Sequence, residues 1–455
     1  AGLPYYRPDE NSPEMVYMHQ QRKKLGGYLP ARRNQVERLE TPELGVLKSH
    51  LTGTGEREIS TTMAFVRILS TIVKDKSMGH RVVPIVPDEA RTFGMEGMFR
   101  QIGIYSAAGQ KYVPHDSSQI MFYKEDEKGQ MLQEGINEAG GMSSWIAAAT
   151  SYSTNGVSTI PFYIYYSMFG FQRVGDLAWL AGDMQARGFL IGATAGRTTL
   201  NGEGLQHEDG HSLILANTIP NCKSFDPAYN FELAVIIQDG MRRMYKEGEN
   251  CFYYVTTMNE NYVHHAMPEG AEEGIIKGMY KLKAGTTKKK NRVQLMGGGA
   301  ILREVEAAAD ILRDDFGVES DIWSLTSVNE LARQGQHINR HNTLHPEDKP
   351  KKAYVTECLE GGKGPVIAAT DYMKAYAEQL RAFIPGPSYT VLGTDGFGRS
   401  DTRSKLRHFF EVNRHFIVVA ALKALADEGV IKPAVVSKAI KDFGLDATKP
   451  DPMTL

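Results

Sequence analysis

Short apolar runs closed by turn-forming residues alternate with helical patterns along most of this chain. Arg81-Val82-Val83-Pro84-Ile85-Val86 ends at Pro87-Asp88-Glu89. Ile160–Tyr166, Phe189–Ala193 and Phe252–Thr256 follow the same plan. Each run is too short for a typical helix and apolar at nearly every position, as a parallel strand buried on both faces requires. Between them lie helical patterns such as Ala228 to Tyr245. Another begins at Ser60-Thr61-Thr62, whose hydroxyls suit a cap, and continues through Leu69. The alternation restarts at Val293–Met296, which runs into Gly297-Gly298-Gly299. A helix pattern from Ala300 to Phe316 comes next, then strand candidates Ile322–Leu325, Val366–Ala369 and Val391–Gly393. The expected class is α/β: two domains with mostly parallel sheets flanked by helices. They are expected over 56–270 and 271–455. Residues 1–55 read as a linker, rich in charge, Pro and Gly, with a turn-like Lys24–Pro30. Lys281 to Arg292, with Lys288-Lys289-Lys290, reads as a solvated turn between domains rather than a basic partner surface.

The chain has 455 residues, 42% hydrophobic and 23% charged, with a formal net charge of −2. Such a chain can bury several cores, and it has no overall basic field to draw nucleic acid. No apolar run is long enough to predict a transmembrane helix, so no membrane partner is expected. Ala1 to Asp9 has no secretory pattern. The opening Gly2–Pro8 stretch, without an initiator Met, reads as the inside of a longer protein or as a processed terminus. Cys222, Cys251 and Cys358 stand far apart, form no CxxC pair, and read as small buried hydrophobes in a reduced, cytoplasmic setting.

Several segments carry chemistry. Gly297-Gly298-Gly299 fails the dinucleotide fingerprint, because Leu302 stands where the third Gly belongs. His207-Glu208-Asp209-Gly210-His211 matches H-E-x-x-H formally. Gly202, Gly204 and Gly210 argue against the helix that zinc ligation would need, each costing about 1 kcal/mol in a helix interior. A polar loop with acid–base capacity is the better reading. Asp88 and Glu89 follow the first strand, at the end of the sheet where α/β proteins bind ligands; a helix N-cap is the equal alternative. Glu138 lies among small residues before the apolar Trp145–Ala149, where a packed carboxyl can retain a proton; an exposed helix-start Glu is the plainer alternative. Tyr163, Tyr165, Tyr166, Phe169 and Phe171 form either ordinary core or a platform for a flat heterocycle.

Taken together, these segments resemble the homodimeric-type decarboxylase of bacterial pyruvate dehydrogenase complexes, a transketolase-like thiamine enzyme family. The telling stretches are Asp88–Gly97, Tyr123–Gln130, Tyr165–Arg173, Leu200–His211 and Gly393–Asp401. The resemblance implies a thiamine-diphosphate-binding pyrimidine domain followed by a transketolase C-terminal-like domain. Gly135-Ile136-Asn137-Glu138 matches the setting of a Glu that contacts the aminopyrimidine, so Glu138 takes that role. Phe169 matches the aromatic that stacks on the ring, with Tyr166 beside it, and Ile136 would pack against the bent cofactor. His207 matches a histidine facing the substrate adduct, and Asp88 and Glu89 match acidic residues lining the pocket. The implied reaction is decarboxylation of pyruvate and reductive acetylation of a lipoyl group. The implied partners are a second copy of the chain and the lipoyl-bearing dihydrolipoamide acetyltransferase component. The family's G-D-G motif for diphosphate and Mg²⁺ is missing from these 455 residues. This chain is therefore expected to carry only half of each site, with the diphosphate and Mg²⁺ ligands on an upstream domain. The alternatives are a non-catalytic dimerisation scaffold and, more remotely, a zinc hydrolase using His207 and His211. The C-terminal domain is expected to serve dimer contact, with Gly393–Asp401 near the channel mouth.

Overall fold

The computed structural model describes residues 6–27, 36–87, 90–286, 291–386 and 388–455. The strands of its two large sheets are β1 (Val82–Val86), β2 (Leu132–Gln133), β3 (Ile160–Tyr166), β4 (Phe189–Ala193), β5 (Cys222–Phe225) and β6 (Phe252–Thr256), then β7 (Met279–Lys283), β8 (Arg292–Gly297), β9 (Glu319–Leu325), β10 (Val366–Ala369) and β11 (Tyr389–Leu392). The first six form one sheet in the order β2-β1-β3-β4-β6-β5, parallel throughout. The other five form a second sheet in the order β7-β9-β8-β10-β11, parallel except for β7. The expected α/β class with two mostly parallel sheets is the observed one.

Two prolines sit in the first sheet without breaking it. β2 begins beside Ile85, so Pro84 has β3 on one side and no strand on the other. β4 begins beside Phe162, so Pro161 likewise has a neighbour on one side only. A residue without an N–H is tolerated where the ladder asks for none.

The helices that matter below are α1 (Pro13–Lys24), α2 (Thr61–Ile72), α3 (Glu138–Ala149), α4 (Phe171–Asp183), α5 (Ser212–Asn217), α6 (Asn230–Met241), α7 (Ile301–Phe316) and α8 (Val328–Leu344). α2 starts where the hydroxyl cap predicts: the Ser60 side chain accepts the Met63 N–H. α6 is buried along nearly its whole length, with Glu232 reaching Tyr280 and Ser324 of the second sheet and Gly240 lying against Phe189 and Tyr253 of the first. α1 lies in the stretch read as linker, yet it is a regular helix with an Ser12 cap and no buried residue. It is therefore held by local bonds rather than by a core. Lys281–Lys283 and Arg292, read as turn, are strand residues of β7 and β8; Lys288, Lys289 and Lys290 lie outside the described residues. Cys222 and Cys251 are buried free thiols as expected, while Cys358 is half-buried.

Buried polar residues join the two sheets. Asp226, just after β5, accepts hydrogen bonds from the Thr256 hydroxyl at 2.6 Å and the Tyr372 hydroxyl at 3.1 Å. Glu232 on α6 accepts from Tyr280 at 2.7 Å and Ser324 at 2.6 Å. Asp371, just after β10, accepts the Thr198 N–H at 3.1 Å and its hydroxyl at 2.7 Å. Gly298 and Gly299 make the tight turn after β8 and lie against the Asp226 carboxylate.

Candidate active-site cleft

A cleft of about 280 Å³ opens at the carboxyl ends of β1 and β3. Pro87, Ile136, Glu138, Tyr166, Phe169 and His207 line it, with Arg173 and Gln206. This is where an open parallel sheet leaves space for a ligand.

Period-two geometry sorts the aromatic cluster. Tyr163 and Tyr165 point to one face of β3 and are fully buried. Phe162 and Ile164 point to the other face, and Tyr166 follows them, half-buried where the strand ends. The chain then turns through Ser167–Phe169, which brings Phe169 beside Tyr166 with ring centroids 6.2 Å apart. So the cluster is both things: Tyr163 and Phe171 are core, Tyr166 and Phe169 wall the cleft, and Tyr165, itself buried, reaches the cleft lining from the core side.

Glu138 is the first residue of α3, not a residue ahead of it. Gly135 sets it up: its φ of 75° lies in the left-handed region that glycine occupies without strain. Asn137 then caps the helix, its side chain accepting the Gly140 N–H at 3.1 Å. The Glu138 side chain is only 12% exposed and pairs with Arg173 at 2.8 Å. The Arg173 guanidinium also lies 4.1 Å from the Phe169 ring centroid, covering one face of it. Burial and the Glu138 charge raise the pKa of Tyr163, whose hydroxyl donates to the Glu138 carbonyl at 3.4 Å. Ile136 is 73% exposed at the cleft mouth.

His207 ends a short 3-10 turn, Leu205–His207. Its ring meets Tyr166 edge-on at 5.2 Å and Phe169 at 5.0 Å. Its Nδ1 is buried and has no hydrogen-bond partner. The H-E-x-x-H string does not form a helix. After the turn, Asp209 Oδ1 accepts the N–H groups of His211 and Ser212, each at 2.9 Å, and so caps α5. His211 contacts Gln172 instead of sharing a point with His207. Among the described residues no group of three His, Cys, Asp or Glu is placed to hold a metal. The zinc alternative therefore loses its geometric basis.

The structure thus brings Ile136, Glu138, Tyr166, Phe169 and His207 together. Asp88 and Glu89 lie outside the described residues. Arg173 went unassigned in the sequence; its spacing of four from Phe169 was the available signal, since a cation four residues from an aromatic can reach its face. The residues present suit a flat, hydrogen-bonding heterocycle. An aromatic wall, a nearly buried carboxylate and an unpartnered imidazole nitrogen face one small cleft.

Comparison places this architecture in a class. The fold is that of transketolases: the enzyme from Leishmania mexicana matches with a TM-score of 0.62 at 15% identity, over 90% of this chain and 49% of its own. A split-gene transketolase described as an inactive beta4 tetramer matches with a TM-score of 0.53 at 17% identity, over 81% of this chain and 98% of its own. The model of the pyruvate dehydrogenase E1 component middle domain matches residues 39–265, and that of the transketolase-like C-terminal domain matches 278–413. The pyruvate dehydrogenase E1 component of Pseudomonas aeruginosa is 63% identical over 99% of this chain and 51% of its own length. Those of Cupriavidus necator and Escherichia coli K12 are 61% and 60% identical, over 51% and 50% of their lengths. The chain belongs to the pyruvate dehydrogenase E1 component family, and carries its middle and C-terminal domains. It spans about half the length of the curated relatives it matches.

Proposed function

We propose that this chain supplies the pyrimidine-binding side of a thiamine diphosphate site, and that the complete protein uses that site to decarboxylate pyruvate and acetylate a lipoyl group. The observation that carries the reading is the convergence of Glu138, Phe169 and His207 on one cleft. Glu138 would hold the aminopyrimidine through its carboxylate, with Arg173 keeping that carboxylate aimed. Phe169 and Tyr166 would hold the ring by stacking and edge contact. Ile136 would pack against the cofactor where it bends. Bound there, thiamine diphosphate supplies the electron sink that loss of carbon dioxide from a 2-oxo acid requires.

His207 faces the same space and would bind or protonate the oxygen on which negative charge develops. Its rings of aromatic neighbours keep water from that side. Asp88 and Glu89 would line the pocket from the end of β1. The diphosphate and Mg²⁺ ligands would belong to the half of the relatives' length that this chain does not span, and the site would close when that half of a second copy of the complete protein meets it, which makes the working unit a homodimer. The lipoyl-bearing acetyltransferase component is the expected acceptor partner, and the cytoplasm the expected setting. No helix of the described residues is long and apolar enough to cross a membrane.

The test is carbon dioxide release from pyruvate by the complete protein with thiamine diphosphate and Mg²⁺. Glu138→Ala should abolish it, a loss of at least about a hundredfold by analogy with other groups that act directly on the reacting centre. A variant within threefold of the parent would overturn the role given to Glu138.

A further inference from the structure

The loop that carries His207 has no core of its own. Asn201 through Gln206 are all exposed, and the His207 turn is closed by only two backbone bonds, His207 N–H to Gly204 C=O at 2.9 Å and Glu208 N–H to Leu205 C=O at 3.3 Å. Beyond the Tyr166 and Phe169 rings against His207, the loop is held by the C-terminal domain. The Gly202 N–H donates to the Asp401 carbonyl at 3.1 Å, Arg403 Nε donates to the Thr199 carbonyl at 2.6 Å, and Arg197 donates to the Gly396 carbonyl. Between these contacts lies Glu208, next in sequence to His207 and 1% exposed. Its Oε2 accepts the Arg399 N–H at 3.1 Å. Gly398 allows the approach, since a Cβ there would stand 2.4 Å from the Leu205 carbonyl oxygen and 3.0 Å from Glu208 Cβ.

We infer that the C-terminal domain positions His207, and that Glu208 is the positioning residue that joins the two. This rests on the reading of His207 as the residue facing the substrate. The other Glu208 oxygen, Oε1, is buried with no partner, as are His207 Nδ1 and Arg197 Nε nearby in the chain. Such orphan atoms weaken a fold, so their presence at one loop marks a site kept for something other than stability. Burial pushes the Glu208 carboxyl up to about 8; the Arg399 amide and Arg197 oppose the rise and Asp371 adds to it. Burial thus favours the protonated form, which still accepts one N–H with one oxygen. A neutral acid suits a joint in a dry seam, where a bare carboxylate would call for a counter-charge. The Gly393–Asp401 segment thus acts on the cleft through the backbone it holds.

Three variants test this on the chain itself by amide hydrogen exchange, read at 200–211 and at 396–403, with α6 as the internal reference. Glu208→Ala should speed exchange in both segments about tenfold, the change expected on losing one buried hydrogen bond, and leave α6 unchanged. Glu208→Gln, which keeps an oxygen for the Arg399 N–H, should stay within about threefold of the parent. Gly398→Ala should loosen 200–211 from the other domain, and it keeps the test decisive if Glu208→Ala destabilises α6 as well. Unchanged exchange at 200–211 in Glu208→Ala and Gly398→Ala would overturn the joint. In the complete protein Glu208→Ala should lower kcat for pyruvate by up to about a hundredfold, as misplacement of a catalytic group by an ångström does, with thiamine diphosphate affinity unaltered and kcat largely restored in Glu208→Gln. A fall in cofactor affinity without a fall in kcat would contradict a positioning role. His207→Ala separates the two readings: full activity there removes the role of His207, while the exchange result still decides whether Glu208 locks the loop.

Discussion

Phe169 shows how a single residue is assigned. Its ring is covered by Arg173 on one face, touched by His207 at its edge, and set beside Tyr166. An aromatic contact of this kind contributes about 0.5–1.5 kcal/mol, so Phe169→Ala should weaken thiamine diphosphate binding to the complete protein roughly three- to tenfold. Calorimetric titration checks this, and unchanged affinity would remove Phe169 from the site. Phe162, seven residues earlier, is the contrasting case. It stacks on Phe189 with centroids 4.5 Å apart and the two rings nearly parallel, deep in the core. Phe162→Ala should cost about 3–5 kcal/mol of stability in urea unfolding without touching the cleft. Residue types and period two made the split between core and wall readable once β3 was placed. For Arg173 the spacing of four from Phe169 was a signal, but its pairing with Glu138 was not readable, because it depends on a turn at Ser167–Phe169 that hydrophobic patterning does not encode.

At the scale of elements, the buried parallel strands were the most legible part. β3, β4, β6 and β10 have the bounds that their apolar runs suggest. β5 and β7 were missed for a physical reason. Cys222-Lys223-Ser224-Phe225 and Met279-Tyr280-Lys281-Leu282-Lys283 are edge strands, each carrying lysine, so their patterns are interrupted. The H-E-x-x-H string is the converse: a motif legible as letters whose helix never forms, because Asp209 inside it caps a helix that starts only after it, at Ser212. The element that aims Glu138 is α3, and its start depends on one side chain. Asn137→Ala should cost about 1 kcal/mol in stability, and it should lower activity beyond that loss because Glu138 is the next residue. Equal stability of variant and parent in urea would contradict the cap.

At the scale of the whole molecule, buried acids where the two domains meet couple the fold to pH. Burial raises Asp226 and Asp371 to about 7, against the hydrogen bonds from Thr256 and Tyr372 to the first, and against Arg407 and Thr198 at the second. A carboxyl with a raised folded pKa binds its proton more tightly when folded. Its contribution is fully present below the unfolded value near 4 and is lost as pH rises toward 7. Stability should therefore fall from pH 5 to pH 8, and Asp226→Asn should lose measurably less over that range by urea midpoint. A variant that falls as steeply as the parent would contradict the assignment to Asp226. The α/β class with two mostly parallel sheets was legible from alternation of strand and helix. The seam was not, since Asp226, Asp371, Glu208 and their partners are brought together only by the packing of one sheet's ends against the other's.

On the function proposed above, this chain bears half of a two-part site. The direct measurement is carbon dioxide release from pyruvate, with thiamine diphosphate and Mg²⁺, for three samples: this chain alone, a polypeptide covering the remaining half of the relatives' length, and the two mixed. Release is expected only from the mixture, and none when the mixture carries Glu138→Ala. Release by this chain alone, or a folded and associated mixture that stays silent, would contradict it.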